Sequence, residues 1–311
     1  MQWEERIGRR IRLRDLHILL AVVQAGSMAK AGTRLAVSQP AVSKAIAEME
    51  HVLGVPLLDR NPQGVEPTHY GRALIRRSLA VFDELRQGVK DIEFLRDPTI
   101  GEVRIGSAEP LASTLVTRVI ERLARQHARI TFDVVHDDPV SLLRHLDDRR
   151  VDLVLARMFG TSVEEHMNAE ILYDDRIAIV AGARNPWTRR RKVELADLVD
   201  EPWVLPLLDS PMSSAVLEAF RAGGLGPPNA TVIARSLSTR NSLLATGHFL
   251  SVHPATAVKL SRNYPAIKAL AVELPTTHGA TGIITLKGRA LSPVAQLFIA
   301  CAREVVKSVV A

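Results

Sequence analysis

The chain has 311 residues, of which 47% are hydrophobic and 24% charged, so it is long enough for about two domains and is not predominantly disordered. Forty Lys and Arg residues against 34 Asp and Glu give a formal net charge of +6, and a single cysteine excludes a disulfide framework or a cysteine-rich zinc site. No apolar run is long enough to span a bilayer and none follows Met1 as a secretory signal, so we expect a soluble, cytoplasmic protein without membrane partners.

The net positive charge is concentrated at the amino-terminal end. Residues 1–77 contain 12 Lys and Arg but 7 Asp and Glu, which accounts for five of the six net charges. A basic end of this kind is expected to bind polyanions, above all nucleic acid. A solvated basic surface without a partner is the alternative.

Three short helices are predicted within this basic end. Apolar residues at helical spacing indicate a first helix that ends at Gly26. Ser27 is a suitable N-cap for a second helix, which runs to about Leu35. After a tight turn, Ser38 caps a third helix, and Gly54 ends it.

The third helix has one apolar and one polar face. Its apolar residues recur at spacings of 4, 3 and 4: Val42, Ile46, Met49 and Leu53. The opposite face carries short or polar residues: Gln39, Pro40, Ser43, Lys44 and Ala47. Such a helix can enter a DNA major groove, where Gln39 would pair with adenine and Lys44 with a phosphate. An ordinary solvated face is the alternative interpretation.

A two-stranded wing is predicted after this helix. The extended runs Val55–Arg60 and Val65–Pro67 flank the turn-forming residues Asn61-Pro62-Gln63-Gly64. Arg60 is placed to reach a phosphate or the minor groove, although a surface ion pair with a neighbouring acid explains it almost as well.

The order of these residues resembles the winged helix-turn-helix signature of LysR-type transcriptional regulators. The resemblance is carried by Gly26-Ser27, Ala31, Leu35, Ser38-Gln39-Pro40-Ala41-Val42-Ser43, Ile46, Glu50, Leu53-Gly54, Leu57-Leu58 and Arg60. The sequence departs from the signature at Leu58, where phenylalanine is usual, and at Glu66-Pro67-Thr68-His69-Tyr70-Gly71, which replaces Leu-Thr-x-Ala-Gly. Both departures lie in the wing and hinge.

The resemblance implies a sequence-specific DNA-binding regulator. Its implied partners are double-stranded DNA with an interrupted inverted repeat, a second copy of the chain in a homodimer or homotetramer, and RNA polymerase. The implied DNA-binding residues are Ser27, Arg34, Ser38, Gln39, Pro40, Ser43, Lys44 and Arg60.

A long helix is predicted next, capped by Thr68 and ended by Asp97-Pro98. A seam with heptad spacing runs along it through Leu74, Ser78, Val81, Leu85, Gly88, Ile92 and Leu95. Packing of this helix on its own domain is the alternative, whereas the resemblance implies that it dimerises. The dimerisation residues are then Leu74, Val81, Leu85, Ile92 and Leu95.

The remaining residues alternate between strand-like and helix-like segments. Strands are predicted at Val103–Ile105, Ile130–Val135, Val151–Ala156, Ile177–Val180, Thr231–Ala234, Phe249–Val252 and Thr281–Leu286. Helices are predicted at Leu111–Gln126, Val140–Asp148, Ser213–Arg221, Leu237–Ala245 and Ser292–Val310. This alternation is typical of an α/β fold with parallel sheets and crossover helices.

By resemblance, this part is an effector domain of two Rossmann-like lobes, as in periplasmic binding proteins. The complete fold is then multidomain: a winged helix-turn-helix domain that is mainly α (1–67), a linker and dimerisation helix (68–97), and an α/β effector-binding domain (98–311). Lobe I spans about 101–174 and 272–311, and lobe II spans about 175–271.

Ligands in such sheets bind beyond the carboxyl ends of strands and at helix N-termini. The residues at these positions are Ser107, Glu109, Asp137, Arg157, Asp209, Ser210, Met212 and His248. Helix starts suit a carboxylate- or phosphate-bearing metabolite. A sugar or sugar acid is the alternative, because Glu109 and Asp209 repel anions but accept hydrogen bonds from hydroxyl groups. Simple capping is the other interpretation of each serine.

Other functional classes lack support in the sequence. G-x-S-x-G, Walker, G-x-G-x-x-G and H-E-x-x-H motifs are absent, and the ten histidines lack metal-ligand spacing. We therefore expect neither an enzyme nor a bound metal or cofactor. A solute receptor is opposed by the missing signal peptide, and a DNA-binding regulator or architectural protein without effector control stays open as the alternative.

Overall fold

The structure is a computed structural model that describes residues 10–61, 64–158, 163–260, 266–272, 274 and 278–310. The chain divides into two compact units, residues 1–88 and 89–311. The division at residues 67 and 97 expected from the sequence stays a prediction. Among the described residues, no helix is both long and apolar enough to cross a membrane.

Three short helices form the first unit, as predicted. They are α1 (Leu13–Ala25), α2 (Met28–Leu35) and α3 (Gln39–Leu53). Their apolar faces meet in one core whose completely buried members are Leu19, Val22, Ala31, Val42 and Ile46. Burying a large aliphatic side chain contributes about 1.5–3 kcal/mol, so this small core fixes the position of α3.

The turn between α2 and α3 is tight. Ala36 has a φ of 55° and ends α2 in the left-handed conformation. A Cβ at Gly32 would lie 2.8 Å from the Val37 carbonyl oxygen, so only glycine permits this close approach. The Ala41 N–H then donates to Ser38 Oγ at 3.4 Å, which caps α3 as predicted.

The predicted wing is an antiparallel hairpin of β1 (Leu58–Asn61) and β2 (Gly64–Pro67). The predicted turn residues Pro62 and Gln63 lie outside the described residues. Glu50 of α3 accepts hydrogen bonds from the N–H groups of Leu57 and Leu58 at 2.7 and 3.2 Å. This carboxylate therefore ties the wing to α3.

The long helix α4 (His69–Arg96) belongs to both units. The Gly71 N–H donates to Thr68 Oγ1 at 3.0 Å, so Thr68 caps it as predicted. Near its start, Leu74 packs against the core of the first unit. Near its end, Phe94 packs against a core of the second unit.

The second unit alternates strands and helices, and a π-helical turn (Ala112–Val116) separates its first two helices. Its elements are β3 (Ile100–Ser107), α5 (Glu109–Leu111), α6 (Thr117–Gln126), β4 (Arg129–His136), α7 (Pro139–Asp147), β5 (Leu153–Met158), β6 (Met167–Gly182), β7 (Val204–Leu205), α8 (Pro211–Ala222), β8 (Val232–Ile233), α9 (Leu237–Ala245), β9 (Leu250–Pro254), α10 (Ala255–Leu260), β10 (Ile267–Ala269), β11 (His278–Leu286) and α11 (Pro293–Val310). Every strand and helix predicted for this part overlaps one of them.

The main sheet is mixed rather than parallel. Its order is β10-β6-β11-β5-β3-β4, with β9 also paired to β6. β3 runs parallel to β4 and β5, but β11 is antiparallel to β5 and β6, and β9 and β10 are antiparallel to β6. The expectation of parallel sheets is therefore wrong for β6, β9, β10 and β11, four of the seven strands of this sheet. β11 returns to the sheet from the far end of the chain, and β9 and β10 pair with β6 in the opposite direction.

The strand β6 takes part in both halves of this sheet. Its residues 167–176 pair with β11, and residues 177–182 pair with β9 or β10. Each half has its own core: Ile105 and Phe298 lie in one, and Trp203 and Phe220 lie in the other. The lobe boundary at 174/175 stays a prediction, and the change of pairing partner falls close to it.

Candidate functional site

The polar face of α3 is accessible. Gln39, Pro40 and Lys44 are exposed and Ser43 is half-buried, whereas Val42 on the opposite face is completely buried. The Lys44 ammonium lies 3.8 Å from the Glu48 carboxylate, an exposed contact of little strength. The predicted reading face is therefore free to meet a ligand.

The other residues predicted to bind DNA surround α3 in sequence. Arg34 at the end of α2 donates from Nη1 to Gln24 Oε1 at 2.9 Å, and Arg60 is exposed on β1. Ser27 precedes α2, but its side chain makes no capping hydrogen bond there. Ser38 is exposed and engaged as the cap of α3.

A surface depression beside α3 holds further basic residues that the sequence analysis did not single out. Arg10, Arg12 and His51 line it together with Lys44, and Asp15 and Glu48 are also present. The two arginines lie just before α1. The cluster of arginines at this point of the sequence could have indicated a basic surface.

An apolar stripe lies exposed on α4. The exposed fractions of Val81, Leu85, Ile92 and Leu95 are 39, 50, 62 and 81%. Val89, which was not predicted as a seam residue, is 55% exposed. These four predicted seam residues are therefore partly or largely open to solvent in the described part of the chain. Leu74 differs, because it packs on the core of its own unit.

The second unit contains a cavity of about 300 Å³. It lies where the ends of β3, β4 and β5 meet the starts of α8 and α9. Five of the predicted effector-binding residues line it: Glu109, Asp137, Arg157, Ser210 and Met212. Two stretches distant in sequence, around residues 107–157 and 206–254, therefore contribute to one site.

Three predicted residues lie away from this cavity. Ser107 is completely buried, and its hydroxyl donates to the Ala108 carbonyl at 3.3 Å. Asp209 is exposed and does not line the cavity. His248 is also exposed and stacks edge-on against Phe249, with ring centroids 5.0 Å apart. We therefore leave these three out of the candidate site.

Four further polar residues line the cavity: His136, Asp138, Arg235 and Arg240. Arg240 is the most informative, because it lies inside the predicted helix α9 rather than at a strand end. The buried positions of α9 are Leu237, Arg240, Asn241 and Leu244. An arginine and an asparagine on the buried face of a helix were the signal available in the sequence.

Arg240 is a buried cation without an ion pair among the described residues. Arg240 is 4% exposed, and its Nη1 donates a long hydrogen bond of 3.4 Å to the Ala234 carbonyl. Its Nε has no hydrogen-bond partner within the described part of the chain. Burial lowers the pKa of this guanidinium and the Glu109 carboxylate raises it, but arginine stays protonated in proteins.

The cavity also contains an acidic side. Glu109 Oε2 accepts a hydrogen bond from the Leu237 N–H at the start of α9, at 2.9 Å, and lies 3.9 Å from His136 Nε2. Asp138 caps α7 and accepts from the N–H groups of Val140 and Ser141, and the hydrogen bonds with Ser141 lower its pKa most.

Ser210 and Arg157 complete the polar lining. The Ser213 N–H donates to Ser210 Oγ at 3.3 Å, so this hydroxyl caps α8. Arg157 Nη2 donates to the Asp175 carbonyl at 2.9 Å, and its Nη1 lies 3.8 Å from Asp175 Oδ2. Burial lowers the pKa of Arg157, and the Asp175 carboxylate offsets part of that effect.

Over the described ranges, no three His, Cys, Asp or Glu side chains form a group that could hold a metal ion.

Two family comparisons match most of the chain. Residues 13–72 match the family described as "Bacterial regulatory helix-turn-helix protein, lysR family". Residues 96–307 match the family described as "LysR substrate binding domain". The first match covers α1 to the start of α4, and the second covers almost the whole second unit.

Individual relatives align over nearly their full length. The transcriptional regulator GbpR of Azospirillum brasilense is 27% identical over 295 residues, which are 94% of this chain and 86% of GbpR. A full-length OxyR variant from Pseudomonas aeruginosa has a similar structure, with a TM-score of 0.69, 20% identity, and coverage of 94% and 95% of the two chains. Full-length CbnR complexed with its target DNA has a TM-score of 0.55 at 19% identity, over 95% of this chain and 100% of CbnR.

We expect the buried His253 to make the protein sensitive to acid. His253 is 5% exposed, and burial together with the Arg240 charge lowers its pKa from 6.5 to about 3. Between pH 6.5 and about pH 3, this histidine is protonated in the unfolded chain but not in the folded chain. The free energy of unfolding therefore falls as the pH falls. Going from about pH 7.5 to about pH 5.5 should cost about 1.4 kcal/mol from this group.

The measurement is the free energy of unfolding at both pH values, by urea denaturation. His253→Gln should remove this part of the pH dependence, whereas His248→Gln at an exposed position should keep it. An equal pH dependence in the wild type and His253→Gln would contradict the assignment.

Proposed function

The chain belongs to the LysR family of bacterial transcriptional regulators, and we propose that it binds an interrupted inverted repeat through α3 and responds to a small anion. In this proposal it acts as a dimer or tetramer, in the cytoplasm, where it meets RNA polymerase on the same DNA. Three parts of the chain support the proposal: the polar face of α3, the apolar stripe on α4 and the cavity in the second unit.

The DNA-reading role is supported by the two faces of α3. The buried face holds the helix on its core, while Gln39, Ser43 and Lys44 are presented outward. Side chains of this length let the helix approach base edges closely. Arg34 and Arg60, at the end of α2 and on the wing, add positive charge for the phosphates on either side of α3.

The dimerisation role is supported by the stripe on α4. Val81, Leu85, Ile92 and Leu95 recur at spacings of 4, 7 and 3 and are exposed to water in the single chain. A matching stripe from a second copy would bury them as a heptad seam. Leu74 contributes less in this proposal, because its side chain already packs on the core of its own unit.

The effector role is supported chiefly by one observation, the buried Arg240 without an ion pair among the described residues. A buried charge is costly unless an opposite charge and hydrogen bonds compensate it. A carboxylate or phosphate group in the cavity would supply both. Arg157, Arg235 and the start of α8 at Ser210 would add further positive potential around such a group.

We expect single substitutions on α3 to separate base reading from phosphate binding. Gln39→Ala should cost about 1–3 kcal/mol at one base pair and relax specificity there. Lys44→Ala should weaken binding to every sequence and reduce the slope of log K against log salt by about one. The measurement is fluorescence anisotropy on DNA recovered by in vitro selection, with Lys259→Ala in the second unit as the control. Unchanged binding in both α3 variants at fixed salt would reject α3 as the reader.

A charge in the α4 stripe should disrupt the oligomer. Leu85→Asp would bury a carboxylate in an apolar seam, which costs several kcal/mol. Sedimentation velocity should then show a smaller species than the wild type, and the control Leu85→Met should behave as the wild type. A Leu85→Asp protein with the wild-type sedimentation coefficient would remove α4 as the dimer interface.

Removal of Arg240 should abolish most of the anion affinity. Small carboxylates and phosphate esters are screened by thermal shift against the full-length protein, and the hits are measured by calorimetry. Arg240→Gln should weaken binding by about 1.5–3 kcal/mol, the range for hydrogen bonds to charged groups. The control is Arg221→Gln, at an exposed position of α8. If Arg240→Gln binds the hits as tightly as the wild type, the effector site lies elsewhere, and the absence of any hit would favour a DNA-binding protein without effector control.

A further inference from the structure

We propose that Glu109 sets the selectivity of the cavity, which takes a monoanion bearing hydroxyl groups and rejects a second negative charge. This inference rests on the proposed function, because it assumes that the anionic group of the effector meets Arg240. It concerns the remaining polar groups of the effector.

One of the two carboxylate oxygens of Glu109 accepts a hydrogen bond within the described part of the protein. Its Oε2 accepts the hydrogen bond from the Leu237 N–H at 2.9 Å. Its Oε1 accepts no hydrogen bond from the described residues, although the side chain lines the cavity. The carboxylate is therefore held in place by one oxygen and offers the other oxygen to a ligand.

The neighbouring carboxylates are already engaged. Both oxygens of Asp138 cap α7, with Oδ1 accepting from two N–H groups and Oδ2 from the Ser141 hydroxyl. Asp137 Oδ1 accepts from the Asp138 N–H at 2.8 Å, and its Oδ2 lies 3.2 Å from His145 Nε2. Among the described carboxylate oxygens of Glu109, Asp137 and Asp138, Glu109 Oε1 is therefore the one that has no hydrogen-bond partner.

Residues of both charges line the cavity. Arg157, Arg235 and Arg240 are cationic, whereas Glu109, Asp137 and Asp138 are anionic. If the anionic group of an effector meets Arg240, we expect its other polar groups to lie against the acidic residues of the lining. A second carboxylate there would be repelled in a partly dehydrated site, where charges interact more strongly than in water.

The single open oxygen favours a hydroxyl group over an ammonium group. A hydroxyl donates one hydrogen bond, and one acceptor satisfies it. An ammonium group has three donors and a high cost of dehydration, and the cavity offers one open carboxylate oxygen among the described residues. A polyhydroxylated monocarboxylate therefore matches this side best.

The test compares three probes of six carbons by calorimetry with the full-length protein at fixed ionic strength. Gluconate is the hydroxylated monoanion, adipate is the dianion and 6-aminohexanoate is the zwitterion. We expect the wild type to bind gluconate about tenfold more tightly than adipate. Glu109→Gln keeps an oxygen for the Leu237 N–H but loses the charge, so adipate should bind about tenfold more tightly than it binds the wild type, and gluconate should bind less tightly.

Two further variants control for fold and position. Asp209→Asn should leave the ratio of gluconate to adipate affinity unchanged, because Asp209 is exposed and does not line the cavity. Glu109→Asp keeps the negative charge and should still exclude adipate. Thermal unfolding of each variant shows whether it has folded.

Several outcomes would overturn this inference. They are equal affinities of the wild type for gluconate and adipate, tighter binding of 6-aminohexanoate than of gluconate, no binding of any probe at millimolar concentration, or an unchanged ratio in Glu109→Gln. Failure of the proposed anion site has a different signature, since Arg240→Gln would then bind gluconate as tightly as the wild type. Loss of binding in Arg240→Gln with an unchanged ratio in Glu109→Gln rejects the role of Glu109 alone.

Discussion

A buried carboxylate, Asp175, holds together the segments on which the cavity depends. It is 4% exposed and lies on β6 where this strand changes its pairing partner. Its Oδ1 accepts from the N–H groups of Arg176 and Thr256, at 2.9 and 3.1 Å, and its carbonyl accepts from Arg157. β5, β6 and the start of α10 are thereby fixed to one another, and Arg157 is held at the cavity wall. Removing one partner of a buried ionic contact costs about 3–5 kcal/mol, so this arrangement has little freedom to vary.

A second buried carboxylate, Asp152, binds basic residues from several segments near the end of α4. Asp152 Oδ1 accepts from Arg104 at 2.8 Å and from Arg289 at 2.7 Å, and its Oδ2 lies 3.7 Å from the ammonium of Lys90. Burial raises the pKa of Asp152, but the hydrogen bonds and charge of Arg104 outweigh burial and lower it overall. A helix that begins on the DNA-binding core therefore ends on a charged cluster of the effector unit. Membership of a family of transcriptional regulators confirms the expectation that the chain is a regulator and not an enzyme.

The parts that could be predicted from sequence are those governed by local spacing. The caps Ser38 and Thr68 and the two faces of α3 follow from residues a few positions apart, and the structure confirms them. The direction of β11 and the role of Arg240 depend on contacts between distant segments, which spacing does not encode. Ser107 shows the intermediate case: its position at a strand end was right, but the alternation of side chains along β3 turns it into the core. In the cavity, the sequence identified five residues at strand ends and helix starts. It missed four others: His136, Asp138, Arg235 and Arg240, the last of which lies within α9.

The sharing of α4 between both units bears on how such chains change over evolutionary time. The boundary at Gly88 falls inside a continuous helix rather than in a loop. An insertion or deletion of one residue there would turn all later residues of the helix by about 100° relative to the earlier ones. Leu74 and Phe94 lie on either side of this boundary and pack on different cores, so each would turn with its own part of the helix. Seven residues make two full turns to within about 20°, so we expect length changes near this boundary, and recombination between family members, to favour steps of about seven residues.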